Sequence, residues 1–161
     1  MNMVDSAFFM RESEAMLTRL YHTAYYMLTS KQDAEDAVQQ ALMKAWAARD
    51  RARPDTFQAW LARITVNECR NIQRHRHRVV PSDTVEQEGT PFHLPDPDLM
   101  TCVQSLPDAL RIPFVLKYLA CLSEQEVAHA LHLPVSTIKN RLYRARQTLR
   151  RALEAWEVPF G

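Results

Sequence analysis

Glycine is almost missing from this chain: 161 residues contain 2, against 9 prolines and 7 methionines. Tight hairpin turns and phosphate-cradling loops draw on the positive φ angles that glycine adopts freely, so an all-β fold or a doubly wound nucleotide-binding sheet is disfavoured. Cysteine is scarce as well, with Cys69, Cys102 and Cys121 forming an odd set that lacks any C-x-x-C pair. A disulfide framework is excluded on that count, and the thiols are expected to act as small hydrophobes in a reducing compartment. No apolar run approaches the roughly 20 residues of a membrane span. Asp5 and Arg11 flank the short Phe8-Phe9-Met10 run, which does not read as a secretory signal, so the chain is expected in the cytoplasm. Net charge is nearly absent too, at +1 from 20 basic and 19 acidic residues. A hydrophobic content of 47% nonetheless makes this an ordinary globular composition rather than a disordered one.

The balance of charge conceals a segregation. Residues 1–78 hold 12 basic and 9 acidic side chains, residues 79–104 hold 5 acids and no base, and residues 105–161 hold 8 bases and 5 acids. Arg70, Arg74, Arg76 and Arg78 form one acid-free stretch, and Lys139, Arg141, Arg144, Arg146, Arg150 and Arg151 form another. Local patches of this kind, rather than net charge, decide where a polyanion docks. Between the two lies VVPSDTVEQEGTPFHLPDPDLM, with 4 prolines and neither helical nor strand period, which is linker composition. The expected fold is therefore all-α: two small helical domains, 1–78 and 105–161, joined by a flexible acidic linker over 79–104. Lobes of this size bury about 60% of their unfolded surface, so each alone is modestly stable.

Helical period runs through both lobes. Residues 6–29 place Phe9, Met16, Leu17, Leu20, Ala24 and Met27 inward, and Ser30 three residues before Asp33 is a capping-box variant opening the next helix. There Ala34, Ala37, Val38, Ala41, Leu42, Ala45 and Trp46 make one apolar stripe, leaving Asp36, Gln39, Gln40 and Met43 for water or a partner. After a basic, proline-containing break at 49–55, a third helix turns Phe57, Trp60, Leu61 and Ile64 inward. Beyond Ile72 it has no apolar stripe, so its basic end is expected to project from the core. In the second lobe, a helix around 107–120 carries Leu110, Phe114, Val115 and Leu119, with Pro113 starting or kinking its regular part. Ser123-Glu124-Gln125-Glu126 is a capping box, followed by a short helix with Val127, Ala128 and Leu131 inward. His132-Leu133-Pro134 breaks it, Ser136 or Val135 caps the last helix, and Ile138, Leu142, Ala145, Leu149 and Leu153 recur along that helix. Short helix, tight break and longer basic helix make a helix-turn-helix.

That motif sets the chemistry. Lys139, Asn140, Tyr143 and Arg144 lie opposite the apolar stripe, where Lys or Arg can pair with guanine and Asn with adenine in a major groove. Thr137, Arg141 and Arg146 are better placed for phosphates, which position a protein without specifying sequence. In the first lobe, aromatic and basic residues around 49–60 and the basic helix end suit single-stranded DNA, with bases on rings and cations along the backbone. His75-x-His77 and Glu126-x-x-His129-x-x-His132 have ligand-like spacing, but the first sits among arginines and neither has a completing cluster. No metal, cofactor or catalytic residue is expected.

DAEDAVQQALMKAW (33–46) and FQAWLARITVNECRNIQRHR (57–76) resemble region 2 of the group 4, extracytoplasmic-function sigma factors of the bacterial sigma-70 family, and 105–153 resembles their region 4. The resemblance implies a promoter-specificity subunit of RNA polymerase that is not an enzyme. Its partners would be core polymerase (the β′ clamp helices and the β flap), promoter DNA and an inhibitory anti-sigma factor, with no small-molecule substrate and no membrane insertion. Clamp docking would fall on Asp36, Gln39, Gln40 and Met43. Capture of the opened −10 element would fall on Arg49, Arg51, Arg53, Phe57, Trp60, Arg63, Asn67, Arg70 and Arg74. Duplex reading at −35 would fall on Thr137, Lys139, Asn140, Arg141, Tyr143, Arg144 and Arg146. The family often has glycine where Cys121, His132 and Ser136 stand, so the turn at His132 is expected to be strained or altered. A stand-alone helix-turn-helix regulator would explain 123–151 equally well, yet leaves the 33–46 face and the 49–67 segment without a role.

Overall fold

A computed structural model describes residues 3–79 and 97–155. Seven α-helices and two short 3-10 turns occupy them, with no strand among the described residues. Helix α1 (Ser6–Leu28) opens on Asp5, whose carboxylate accepts from the Phe8 N–H at 2.8 Å. Helix α2 (Lys31–Ala47) opens on Ser30, whose hydroxyl accepts from the Asp33 N–H at 3.2 Å. After the 3-10 turns Arg49–Arg51 and Pro54–Thr56, helix α3 (Phe57–Val79) completes the first lobe. The second lobe holds α4 (Pro97–Ser105), α5 (Asp108–Tyr118), α6 (Glu124–Leu131) and α7 (Val135–Ala155).

The apolar stripes read from the sequence are the packed faces. Ala34, Ala37, Val38, Ala41 and Ala45 of α2 are fully buried, as are Ile138, Leu142 and Ala145 of α7. Trp46 leaves the stripe: it sits at the last turn of α2, 39% exposed, edge-on to Phe9 and beneath the Arg49 guanidinium. Three further expectations are corrected. Helix α4 begins at Pro97, inside the stretch assigned to the linker, because Leu99, Cys102, Val103 and Leu106 share one face and Cys102, Val103 and Leu106 are buried there. The rest of the acidic linker, with Asp83, Glu86, Glu88 and Asp96, lies outside the described residues. The end of α3 is tied down by polar bonds where an apolar stripe is lacking. Gln73 donates to the Met27 carbonyl at 3.0 Å, and Arg76 donates to the Leu28 carbonyl at 3.0 Å and to Asp33. Arg76 thus meets the C-terminal carbonyls of α1, where a cation is favoured. Finally, the Ile138 N–H donates to the Pro134 carbonyl at 3.2 Å, so Val135 and Ser136 lie within the first turn of α7 rather than capping it.

The two lobes touch. Helix α1 meets α4 and α5, and α3 meets α6, so one apolar cluster runs through both. Thr23, Ala24, Tyr25, Tyr26, Met27 and Leu28 are all buried. Six consecutive residues at 100° each circle a helix completely, so the end of α1 is wrapped from every side. Two modestly stable lobes therefore share one core.

Scarce glycine has a visible cost. Thr29, Cys121 and His132 all sit at positive φ, of 57°, 61° and 56°. An L-residue with a side chain loses about 1–2 kcal/mol in that left-handed conformation. Cys121 is exposed and makes only a weak S–H contact with the Leu119 carbonyl at 3.8 Å. Cys121→Gly is accordingly expected to raise the unfolding free energy by about 1 kcal/mol in urea titrations, with Cys121→Ala close to neutral.

Candidate nucleic-acid interface

In the second lobe, the loop before α6 is fixed by a reciprocal capping box. The Ser123 hydroxyl accepts from the Glu126 N–H at 3.1 Å, while the Glu126 carboxylate accepts from the Ser123 N–H at 2.9 Å. His132 in the left-handed region ends α6, and the Leu133 N–H donates back to the Ala128 carbonyl at 3.1 Å. This closure is the Schellman pattern that glycine usually serves. Val127 and Ala128 pack in the same core as Ile138 and Leu142, which aims the opposite face of α7 at solvent. Lys139, Asn140, Tyr143 and Arg144 are all exposed on that face, Tyr143 to 56%. Thr137 and Arg141 are half-buried at its margin. Arg146 is exposed on the flank, its Nη1 donating to the Tyr118 hydroxyl at 3.1 Å. The first acid along α7 is Glu154, so nothing on the helix itself neutralises this exposed face.

In the first lobe, a surface groove of about 560 Å³ is lined by Arg51, Trp60, Asn67, Arg70 and Arg74, five of the nine residues assigned to opened DNA. Lys44, Ala48, Ile64, Glu68 and Asn71 complete its wall. Four cations face one acid, and that acid is engaged: Glu68 accepts from Lys44 Nζ at 2.5 Å and from Asn71 at 3.4 Å. The apolar spacing did not show Lys44 and Glu68, because their pairing spans two helices. Trp60 is half-buried, one side tilted against Phe57 at 5.8 Å and the other lining the groove. Phe57 does not belong to the contact surface. It is 1% exposed, edge-on to Phe8 and Phe9 at 5.4 and 5.6 Å, and it supports Trp60 from inside the core. Arg49 lies flat on Trp46 at 3.8 Å with Nη1 donating to the Trp46 carbonyl, while Arg53 pairs at 3.6 Å with Asp55 in full solvent. Such an exposed pair is easily exchanged for another anion. Arg63 points elsewhere: its Nη1 lies 2.7 Å from His132 Nε2 of the second lobe. A guanidinium only donates, so a hydrogen bond here has the imidazole Nε2 as its acceptor.

A third surface lies on α2. Asp36, Gln39 and Gln40 line a groove of about 580 Å³ with Asp33, Asn71, Ile72, His75 and Arg76. Met43, 60% exposed, continues the same face one turn on. Among the described residues no group of three His, Cys, Asp or Glu side chains could hold a metal ion, and no helix is long and apolar enough to cross a membrane. Cys69 is buried, and burial first, with Glu68 second, pushes its thiol up to about 12.

Known proteins are similar to this chain over both lobes. The Sigma-70 region 2 pattern matches residues 13–79 and the Sigma-70 region 4 pattern matches residues 97–149. The Escherichia coli ECF RNA polymerase sigma-E factor is 33% identical over 137 residues, covering 73% of this chain and 72% of that protein. The Mycolicibacterium smegmatis ECF RNA polymerase sigma factor SigE is 31% identical over 147 residues, 82% of this chain but only 56% of that longer relative. Among solved structures, the Bartonella quintana sigma factor RpoE in complex with the anti-sigma factor NepR is similar at a TM-score of 0.76 and 28% identity, covering 91% of this chain and 96% of that one. CnrH in complex with the cytosolic domain of CnrY is similar at 0.71 and 25% identity, covering 94% and 90%.

Proposed function

Because the chain belongs to the extracytoplasmic-function branch of the sigma-70 family, we propose that it binds core RNA polymerase and directs initiation at promoters that it reads with two separate surfaces. The observation that carries this reading is the acid-free outer face of α7, with Lys139, Asn140, Tyr143 and Arg144 exposed together on a helix whose inner face is fully packed. Side chains at that spacing meet base edges in a major groove, each good bidentate pair discriminating by about 1–3 kcal/mol. The groove around Trp60 supplies the complementary chemistry for opened −10 DNA: one ring on which a base stacks, and Arg51, Arg70 and Arg74 along the backbone. The α2 face through Asp36, Gln39, Gln40 and Met43 docks on the β′ clamp helices, and the second lobe meets the β flap. An anti-sigma factor is the inhibitory partner. The match of both lobes to a sigma factor captured with an anti-sigma factor supports this, since it extends over nine-tenths of the chain. The role is that of a specificity subunit, not an enzyme.

Run-off transcription with core polymerase on genomic fragments tests the reading. Defined transcripts are expected only when the chain is added to core. Promoter binding by the holoenzyme should weaken steeply with salt, each neutralised phosphate adding about −0.9 to the log–log slope. Tight binding of duplex by the free chain without core, as a stand-alone regulator would show, overturns it.

A further inference from the structure

Tyr118 carries no assigned role, yet its surroundings are built. It ends α5, 44% exposed, with its ring tilted against Phe114 one turn earlier at a centroid distance of 4.8 Å. Phe114 is itself 8% exposed and part of the core, so the phenol is held from behind while its hydroxyl faces out. That hydroxyl accepts from Arg146 Nη1 at 3.1 Å across 28 residues of sequence. Arg146 lies three residues after Tyr143 and seven after Lys139, on the flank of the exposed α7 face.

We propose that Tyr118 and Arg146 form a two-helix clamp for a backbone phosphate of duplex DNA, fixing the register in which α7 enters the groove. This rests on the reading of α7 as a duplex-reading helix. The chemistry follows from the donor inventory. The phenol oxygen is occupied as acceptor, so its own proton is free to donate. Arg146 spends one of five N–H groups on a neutral partner rather than on a carboxylate, so its charge stays uncompensated. Two donors from different helices then converge on one anion, with the guanidinium swing restricted by its hydrogen bond to a phenol held against Phe114. Tyr118 is a positioning residue with a second hydrogen bond of its own. Phosphate contacts fix orientation and carry no sequence information, so its loss should be felt equally on every promoter sequence.

The test uses the full chain assembled with core polymerase and a promoter fragment labelled for anisotropy, titrated over a range of salt. Tyr118→Phe keeps the ring and removes the hydroxyl. It is expected to weaken binding about 3- to 10-fold, by the same factor on promoters with single base changes in the −35 element, while leaving the salt slope in place because no charge is lost. Arg146→Ala is expected to weaken binding further and to reduce the slope by about 0.9. In the Arg146→Ala background, Tyr118→Phe should cost less than it does alone, since the pair acts together. Wild-type affinity for Tyr118→Phe, a penalty that depends on base identity, or full additivity of the two substitutions would each overturn the clamp. Urea midpoints of the variants within error of wild type keep a folding defect from imitating the result. A wild-type holoenzyme indifferent to the −35 element would overturn the reading of α7 and the clamp with it, whereas discrimination retained alongside an inert Tyr118→Phe would overturn the clamp alone.

Discussion

Asp36→Lys is expected to abolish co-elution of the chain with core RNA polymerase, weakening the complex about 100-fold or more. Asp36 is exposed in the middle of the α2 groove between Asp33 and the Gln39–Gln40 pair, and it makes no hydrogen bond or ion pair among the described residues. Asp33 by contrast is already held by Arg76. Asp36 is thus the carboxylate of this face left for a partner, and truncating one member of a desolvated interfacial charge pair costs about 2–5 kcal/mol. Reversal adds repulsion from the partner's cation and from nearby Arg76. The fold should tolerate the change, because the side chain lies opposite the buried alanine stripe. Size-exclusion chromatography with core enzyme reads the outcome, with thermal unfolding of the free variant as the control. Retained co-elution would remove this face from the polymerase interface.

Arg144→Ala is expected to cut run-off transcription from promoters that depend on the −35 element by about 10- to 100-fold, and to relax the preference for one base pair within it. The range is that of a lost bidentate base contact, about 1–3 kcal/mol. Arg144 stands on the exposed face with Lys139, Asn140 and Tyr143 and has no packing role, so the loss should fall on recognition rather than on stability. The measurement is transcription over a set of promoters altered one base pair at a time. A uniform decline across the set would recast Arg144 as a phosphate contact, and unchanged output would remove it from the interface.

Much of this architecture was legible because the information is local. The stripes of α2 and α7 and the box at Ser123 each lie within a few turns of one helix, so spacing alone reveals them. The exposed quartet on α7 follows from the same period. What escaped depends on residues brought together from afar. The docking of the α3 tail rests on hydrogen bonds from Gln73 and Arg76 to carbonyls some 46 and 48 residues earlier, which no periodicity records. Helix α4 is short, begins with proline and sits beside an aperiodic acidic stretch, so its single buried face is indistinguishable from linker by composition. Phe57 illustrates the opposite failure: an aromatic beside basic residues fits both a stacking platform and a core, and only its contacts with Phe8 and Phe9 decide for the core. The strained turn at His132, in turn, was foreseeable from the residue type, since a helix ending of that form favours glycine.

The bond between Arg63 and His132 joins the two lobes in a single thermodynamic cycle. Arg63 belongs to the helix that lines the Trp60 groove, and His132 to the turn that aims α7. Whatever draws the guanidinium away from the imidazole alters the freedom of the second lobe, and whatever displaces the turn releases a cation to the first. Linkage of this kind is reciprocal by necessity: the factor by which occupancy at one end changes affinity at the other is the same in both directions. On the proposed reading, occupancy of one surface by promoter DNA would change affinity at the other through this one contact.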